Sequence, residues 1–312
     1  MPDDEALASG ASGLHGPLDR EGSLVNHRVE YREICVPFGE MRVRTWGDPS
    51  LPALLLLHGL GSTNRIWDLC IPFLSGSYYV VAPDQRGHGG ASEPPPPPPP
   101  APDARRPPPR PRGLGLERAY VMGPSWGGDV TLELAVRHPG RVEAICLVDG
   151  GIIDFRAHMG WPEAMRLLEP KKVCGFTLEE LKAAIDPWLR SLPSPEQHEV
   201  ILANYEIRND GTVCPHLPYD ANMAIARAMW EHRPPHLYEQ LTRPALILQA
   251  VPPGPLTDMS ERFYRWRSEC VELAQNGPAR ATVRRFVDTV HDVPLQRPRE
   301  LVSAWEEFRV GL

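Results

Sequence analysis

Five short, uninterrupted apolar runs limit how this chain can fold: Ala53–Leu57, Tyr78–Ala82, Ala119–Met122, Ala144–Val148 and Ala245–Leu248. A strand that alternates polar and apolar residues leaves one face in water. A run with no polar member is apolar on both faces and belongs inside a parallel sheet covered on both sides. Parallel neighbours need a crossover, normally a helix, and helical patterns lie between several of the runs. The pattern predicts an α/β chain with a doubly wound, mostly parallel sheet. Two more strands are expected near Arg32–Phe38 and Met41–Trp46, joined as a hairpin at Gly39-Glu40. A helix near Ser260–Gln275 ends at Asn276-Gly277. A last strand, Ala281–Val287, precedes a final helix, Pro298–Phe308.

Between Asp149 and Arg243 the alternation stops, and the chain reads as helices only. Thr177-Leu-Glu-Glu180 is a capping box ahead of one apolar face carrying Leu178, Leu181, Ile185, Trp188, Leu189 and Leu192. Ser194-Pro195-Glu196-Gln197 opens another helix, and a third is expected near Ala221–His232. An all-helical block between two sheet strands is a natural lid over the strand ends. The organisation expected is a mobile tail (1–28), a core (29–151), a helical cap (152–242) and the rest of the core (243–312). The 312-residue length suits one domain with an inserted lid.

A net charge of −7 gives no electrostatic footprint for nucleic acid or an anionic membrane. The start, Met-Pro-Asp-Asp-Glu, does not read as a secretory signal. The longest apolar stretch, around Leu54–Leu57, is far shorter than the ~20 residues that span a bilayer. Cys35, Cys70, Cys146, Cys174, Cys214 and Cys270 lack C-x-x-C spacing. They predict reduced thiols in a cytoplasmic protein and no zinc site.

The chemistry concentrates at three loops. Gly123-Pro124-Ser125-Trp126-Gly127 follows the strand Ala119–Met122 and precedes a helical pattern, Asp129–Arg137. A strand–turn–helix of this kind, with small residues two before and two after the serine, is a nucleophile elbow. It lifts the hydroxyl to the N-terminus of a helix, whose dipole favours a developing anion. His58-Gly59-Leu60-Gly61 directly follows Ala53–Leu57. An oxyanion hole needs two backbone N–H groups aimed at one point, and the amides of Leu60 and Trp126 are the natural pair. Among eleven histidines, His291 stands out because it follows the last strand and precedes the final helix. A serine hydroxyl needs such a base to take its proton. His58 and His88 sit in glycine-rich loops and read as structural.

Together these residues resemble the α/β-hydrolase superfamily, in its serine branch with a helical cap, from about Tyr31 to Phe308. Asp84-Gln85-Arg86-Gly87-His88-Gly89 is similar to the family's loop after its fourth strand, where the Asp and Arg are structural. His291-Asp-Val-Pro-Leu-Gln-Arg-Pro-Arg-Glu-Leu301 is similar to its catalytic-histidine segment. The resemblance implies an eight-stranded sheet and a serine–histidine–acid triad. It implies neither cofactor nor metal, and a small molecule as the partner.

Two positions depart from the family pattern. The acid normally follows the strand matching Ala245–Leu248, but here that turn reads Gln249-Ala-Val-Pro-Pro-Gly-Pro255. Some relatives, haloalkane dehalogenases among them, carry the acid after the preceding strand. Asp149 holds that place here, and Asp258, Asp288 and Asp292 are its rivals. Pro124 stands before the serine where His or Gln is common, and proline donates no hydrogen bond.

Residues 94–112 fit no element: twelve prolines crowd Pro94–Pro111. Read literally, this is a polyproline II linker or a ligand for Pro-binding modules. The distance from Asp84 to Ser125 matches the family's, yet the helix that fills it in relatives is gone. A Pro/Arg/Ala block of preserved length is what out-of-frame reading of GC-rich DNA produces. We read the span Glu93–Gly113 as a pair of compensating frameshifts, which resequencing of the locus tests.

The sequence therefore predicts acyl transfer to water through Ser125, His291 and Asp149. A Ser nucleophile argues against the dehalogenase and epoxide hydrolase chemistry of relatives that use Asp. Carboxylesterase, lactonase, amidase and C–C bond hydrolase remain open. Trp161, Trp188, Met223 and Trp230, with Met159 and Met229, are candidates for an apolar acyl pocket, against an alternative role as lid core. The rival class is a non-catalytic small-molecule binder on the same fold.

Overall fold

The computed structural model describes residues 29–36, 39–89, 116–254 and 257–312. The expected 1–28 tail and the proline block, with its proposed frameshifts, lie outside them. Strands β1 (Glu30–Val36), β2 (Gly39–Trp46) and β3 (Ala53–Leu56) come first. Helix α1 (Ile71–Leu74), β4 (Tyr79–Pro83), β5 (Ala119–Pro124), α2 (Trp126–Arg137) and β6 (Val142–Val148) follow. After an insert come β10 (Ala245–Val251), α10 (Asp258–Asn276), β11 (Thr282–Val287), α11 (Val293–Gln296) and α12 (Pro298–Val310). Eight strands form one sheet in the order β1-β2-β4-β3-β5-β6-β10-β11. The β1–β2 and β2–β4 pairs are antiparallel and the others are parallel.

Strand β6 explains why the sheet is covered twice. Alternate side chains of a strand point to opposite faces. Ala144, Cys146 and Val148 join Leu54, Leu56 and Met122 in a core closed by Leu301 and Trp305 of α12. Ile145 and Leu147 join Ile247 in a second core, closed by Leu132 of α2 and Val271 of α10. The edge strand β11 is largely exposed and carries Arg284 and Arg285. Charge at an edge discourages pairing with another chain.

The insert between β6 and β10 contains α3 (Phe155–His158), α4 (Trp161–Leu168), β7 (Phe176–Thr177), α5 (Leu178–Ala184), α6 (Asp186–Leu189) and α7 (Pro195–Leu202). It continues through β8 (Tyr205–Ile207), β9 (Thr212–Pro215), α8 (Tyr219–Glu231) and α9 (Pro234–Tyr238). The all-helical expectation needs correction, because β7, β9 and β8 form a small antiparallel sheet. Its hairpin turns at Asp210-Gly211, with Gly211 at φ +83° and Arg208 N–H donating to Thr212 O at 2.7 Å. An Asp-Gly pair between short strands is a hairpin signal that helical periodicity does not carry. Both capping boxes form, at Thr177/Glu180 and Ser194/Gln197. The helix expected to carry one face from Leu178 to Leu192 breaks at Ile185, just before Pro187 opens α6, because proline has no N–H to continue the ladder.

The cysteine expectation is also corrected. Cys174 and Cys214 form a disulfide between the loop before β7 and β9. Cys70, Cys146 and Cys270 are free and buried. The disulfide joins positions 40 residues apart that only the pairing of β7 with β9 brings together. Disulfides persist where thiols are oxidised, so the cysteines no longer argue for a reducing compartment. Among the described residues no helix is long and apolar enough to cross a membrane.

Candidate active site

The serine sits where a parallel strand must turn at once into a helix. β5 ends at Pro124, α2 begins at Trp126, and Ser125 between them has φ 52°, ψ −127°. A positive φ on a residue with a Cβ is strained and persists only where the surroundings enforce it. Here Ser125 N–H donates to Val148 O at 3.1 Å, and Ser125 O accepts from Gly128 N–H at 2.8 Å. Two glycines make room for the turn. A Cβ on Gly127 would stand 2.7 Å from His58 O, and one on Gly150 would stand 2.6 Å from Ser125 N. Pro124 does not disturb the turn, because Ser125 supplies both the strain and the bonding amide.

The turn after β3 is braced by two histidines. His58 is buried, with Nδ1 2.8 Å from Gly59 O and Nε2 accepting from Gln85 N–H at 2.8 Å. Gln85 also donates its side-chain amide to His58 O at 2.6 Å. His88 Nε2 accepts from Gly61 N–H at 3.1 Å. Burial pushes both imidazoles down to about 4, so both are neutral braces. Within this turn, Leu60 N–H donates to no group among the described residues. The Trp126 amide opens α2 and is one of the donors a helix start leaves unpaired.

His291 follows β11. Its Nδ1 lies 2.7 Å from Asp149 Oδ2. Asp149 directly follows β6 at φ 46°, and its carboxylate is fully buried. Oδ1 accepts from Ala250 N–H at 3.0 Å, and Oδ2 also accepts from Arg267 Nη1 at 2.5 Å. The sheet register puts this acid one strand over from its usual place. Leu248 of β10 pairs with Val148 of β6, so Asp149 and Gln249 emerge side by side. Gln249 points instead toward Ser268 and Arg285. Of the rival acids, Asp292 accepts from Trp188 Nε1 at 2.6 Å, and Asp258 lies in the first turn of α10. Desolvation lowers the His291 pKa, but the hydrogen bond and charge of Asp149 outweigh it and leave the imidazole raised; Arg267 opposes that rise. The ring's side chain is 53% exposed.

Ser125 and His291 line one cavity of about 270 Å³ together with Gly59, Leu60, Trp188 and Asn204. No hydrogen bond joins Ser125 to His291. Such contacts often tighten only when substrate binds. A larger cavity of about 930 Å³ also reaches Ser125 and Leu60, under Ile185, Trp188, Leu217 and Met229 of the insert. Of the four expected pocket residues, Trp188 lines both cavities. Trp161, Trp230 and Met223 line neither. The rings of Trp161 and Trp230 lie 6.1 Å apart, Arg227 stacks on both, and Trp230 Nε1 donates to Met159 O at 2.9 Å. These two tryptophans are partly buried and pack against Phe155, Met159, Ala164 and, from α10, Trp266. Arg267, Asn204 and Asn222 were not singled out from the sequence, since isolated Arg and Asn in helices and loops carry no periodic signal.

Relatives are similar in sequence over about a third of the chain. A fluoroacetate dehalogenase from Burkholderia sp is 34% identical over 119 residues, 36% of this chain and 39% of that one. Epoxide hydrolase A from Mycobacterium tuberculosis is 37% identical over 108 residues, 34% of each chain. The alignments thus span well under half the length of these relatives. Among solved structures, E-2-(acetamidomethylene)succinate hydrolase superposes with a TM-score of 0.67 at 18% identity, covering 91% of this chain and 100% of that one. That likeness concerns the fold. The model of the alpha/beta hydrolase family matches residues 54–304, from the first buried strand to the last helix. With the elbow at Ser125 set between β5 and α2, the chain belongs to the alpha/beta hydrolase family.

Proposed function

We propose that the protein is a serine hydrolase that cleaves an ester or related acyl bond of a small substrate through an acyl-enzyme on Ser125. The observation that carries this reading is the Asp149–His291 hydrogen bond at 2.7 Å beside a strained serine at a helix N-terminus. Asp149 fixes the proton on Nδ1 and leaves Nε2 as the base. Ser125 Oγ attacks the carbonyl carbon as His291 Nε2 takes its proton. The Leu60 and Trp126 amides stabilise the oxyanion. His291 then protonates the leaving group, and water, activated by the same imidazole, releases the acid.

The nucleophile's chemistry separates this chain from the dehalogenation and epoxide opening that two of its relatives' names describe. A carboxylate that displaces a halide or opens an epoxide forms an ester, which water can cleave at the carbonyl. A serine doing so would form an ether with no carbonyl to attack. Ser125 therefore suits acyl transfer and not displacement at a saturated carbon.

Labelling of the full chain with a fluorophosphonate probe, the adduct mapped by mass spectrometry, tests the proposal. The expected adduct is on Ser125, abolished in Ser125→Ala and lost in His291→Ala. A folded protein that takes no label favours a non-catalytic small-molecule binder, the reading supported by the missing Ser125–His291 hydrogen bond.

A further inference from the structure

Two carboxamides with no hydrogen-bond partner among the described residues line the larger cavity, and one of them lines the smaller as well. Asn204 follows α7 and lines both cavities; Asn222 lies in the first turn of α8 and lines the larger. They are only 6% and 7% exposed. Each Oδ1 is buried without a hydrogen bond, and neither side-chain amide donates to a group among the described residues. Their backbones are satisfied by contrast. Asn204 N–H donates to Ile201 O at 3.2 Å, and Asn222 N–H to Pro218 O at 2.9 Å. A buried polar group without a partner carries the full penalty of its lost hydration. Two such groups on one cavity wall are therefore ready to bind something.

Their position relates them to the reacting centre. Asn222 Nδ2 lies 3.8 Å from where a Cβ on Gly61 would stand. The amide thus sits over the turn whose Leu60 borders Ser125 in both cavities. The rest of the larger cavity's wall is mainly apolar, with Leu168, Val173, Ile185 and Leu217, apart from Lys171, Lys172, Tyr205 and Tyr219. Among the described residues no Asp or Glu lines it, and Asp292 lines the smaller cavity.

We propose that Asn204 and Asn222 form a polar clamp for an oxygen substituent close to the scissile carbonyl. The substrates are then esters with a hydroxyl group within a few carbons of the ester carbonyl, able both to donate to an Oδ1 and to accept from an amide, and an apolar remainder. The reaction named rests on the acyl-transfer reading above, but the clamp is a binding site and stands apart from it. A plain alkanoyl chain fills the apolar space and leaves both carboxamides unpaired. A site built to hydrogen-bond a substrate oxygen rejects the analogue that lacks it far more strongly than a greasy pocket rejects a missing methylene. Holding that oxygen also fixes the acyl chain's rotation, so the carbonyl carbon meets Ser125 with its oxygen toward the Leu60 and Trp126 amides.

Calorimetry on the full-length Ser125→Ala protein, which binds esters without turnover, tests the clamp. Ethyl 3-hydroxyhexanoate is expected to bind about tenfold more tightly than ethyl hexanoate. In Asn204→Leu and Asn222→Leu backgrounds that ratio falls toward one. Asn→Ser at the same positions, expected to keep part of the ratio, replaces either Leu variant that does not fold. Equal affinity for the two esters, no binding of either, or a preference that survives both substitutions overturns the proposal. Hydrolysis of the same esters by the Ser125 protein is read separately. A binding preference without turnover leaves the clamp standing and removes the acyl-transfer reading; turnover without preference does the reverse.

Discussion

The floor and the roof of the site are built on opposite principles. In the floor, at the carboxyl ends of β5 and β6, backbones touch: Gly127 packs on His58 and Gly150 packs on Ser125. Both proposed catalytic side chains there, Ser125 and Asp149, are held at positive φ. Asp149 has protein partners for both carboxylate oxygens. In the roof, the insert covers an open cavity of about 930 Å³ and leaves two buried carboxamide oxygens without a hydrogen bond among the described residues. The floor is over-determined, as residues that must meet a reacting atom within fractions of an ångström have to be. The roof is under-determined, with polar groups and space for a ligand to complete.

The largest expected effect breaks the floor chemically. Asp149→Asn keeps the side chain's shape but turns the fixed proton into the wrong tautomer of His291. The loss in kcat should be on the order of 10⁴-fold, read by steady-state kinetics. The same variant removes the hydrogen bond and charge that raise the His291 pKa. A base works only when neutral, so wild-type kcat/KM should fall as the pH drops through a value above 6.5. In Asp149→Asn, that limb should move to lower pH.

The next effect sets floor against roof by steric means. Gly127→Ala should destabilise the protein by about 3 kcal/mol, because its Cβ meets backbone that cannot move aside. Gly160→Ala, in the insert, meets only Pro162 Cδ, at 3.7 Å, and should change stability by less than about 1 kcal/mol. Chemical denaturation of both proteins checks the contrast. Equal losses would mean that roof and floor are equally packed.

The smallest effect sharpens the electrostatics of the floor. Arg267 shares Asp149 Oδ2 with His291 and holds down the imidazole's pKa. Arg267→Met should shift the acid limb of kcat/KM to higher pH, with a drop of about tenfold or less near neutrality. An unmoved limb would mean that Arg267 only fills space beside the acid.

The same division governs what could be read in the sequence. The elbow, the Leu60 turn and Asp149 were legible because each follows an apolar run whose end is easy to find, and His291 was legible from its place between the last strand and the final helix. Strand ends in a parallel sheet collect in one place. Asp149 was preferred to Asp258, Asp288 and Asp292 only through the family resemblance. Its contact with His291 depends on the register of β6 against β10, which sets Asp149 beside Ala250. The roof was read less well. The helix periodicity found α5, α7 and α8, but β7–β9, the Cys174–Cys214 bond and the break at Ile185 depend on pairings and a proline that periodicity does not weigh.

By itself, the sequence determined a two-sided parallel sheet and the loops at its strand ends. Unbroken apolar runs have only one stable environment, and a glycine-flanked serine after such a run has one turn available to it. The tertiary structure alone decided which carboxylate reaches the histidine, which tryptophans face a cavity and which pack on each other, and which asparagines are buried without partners. Those outcomes depend on distances between residues far apart in the chain, and such distances exist only once the elements have packed.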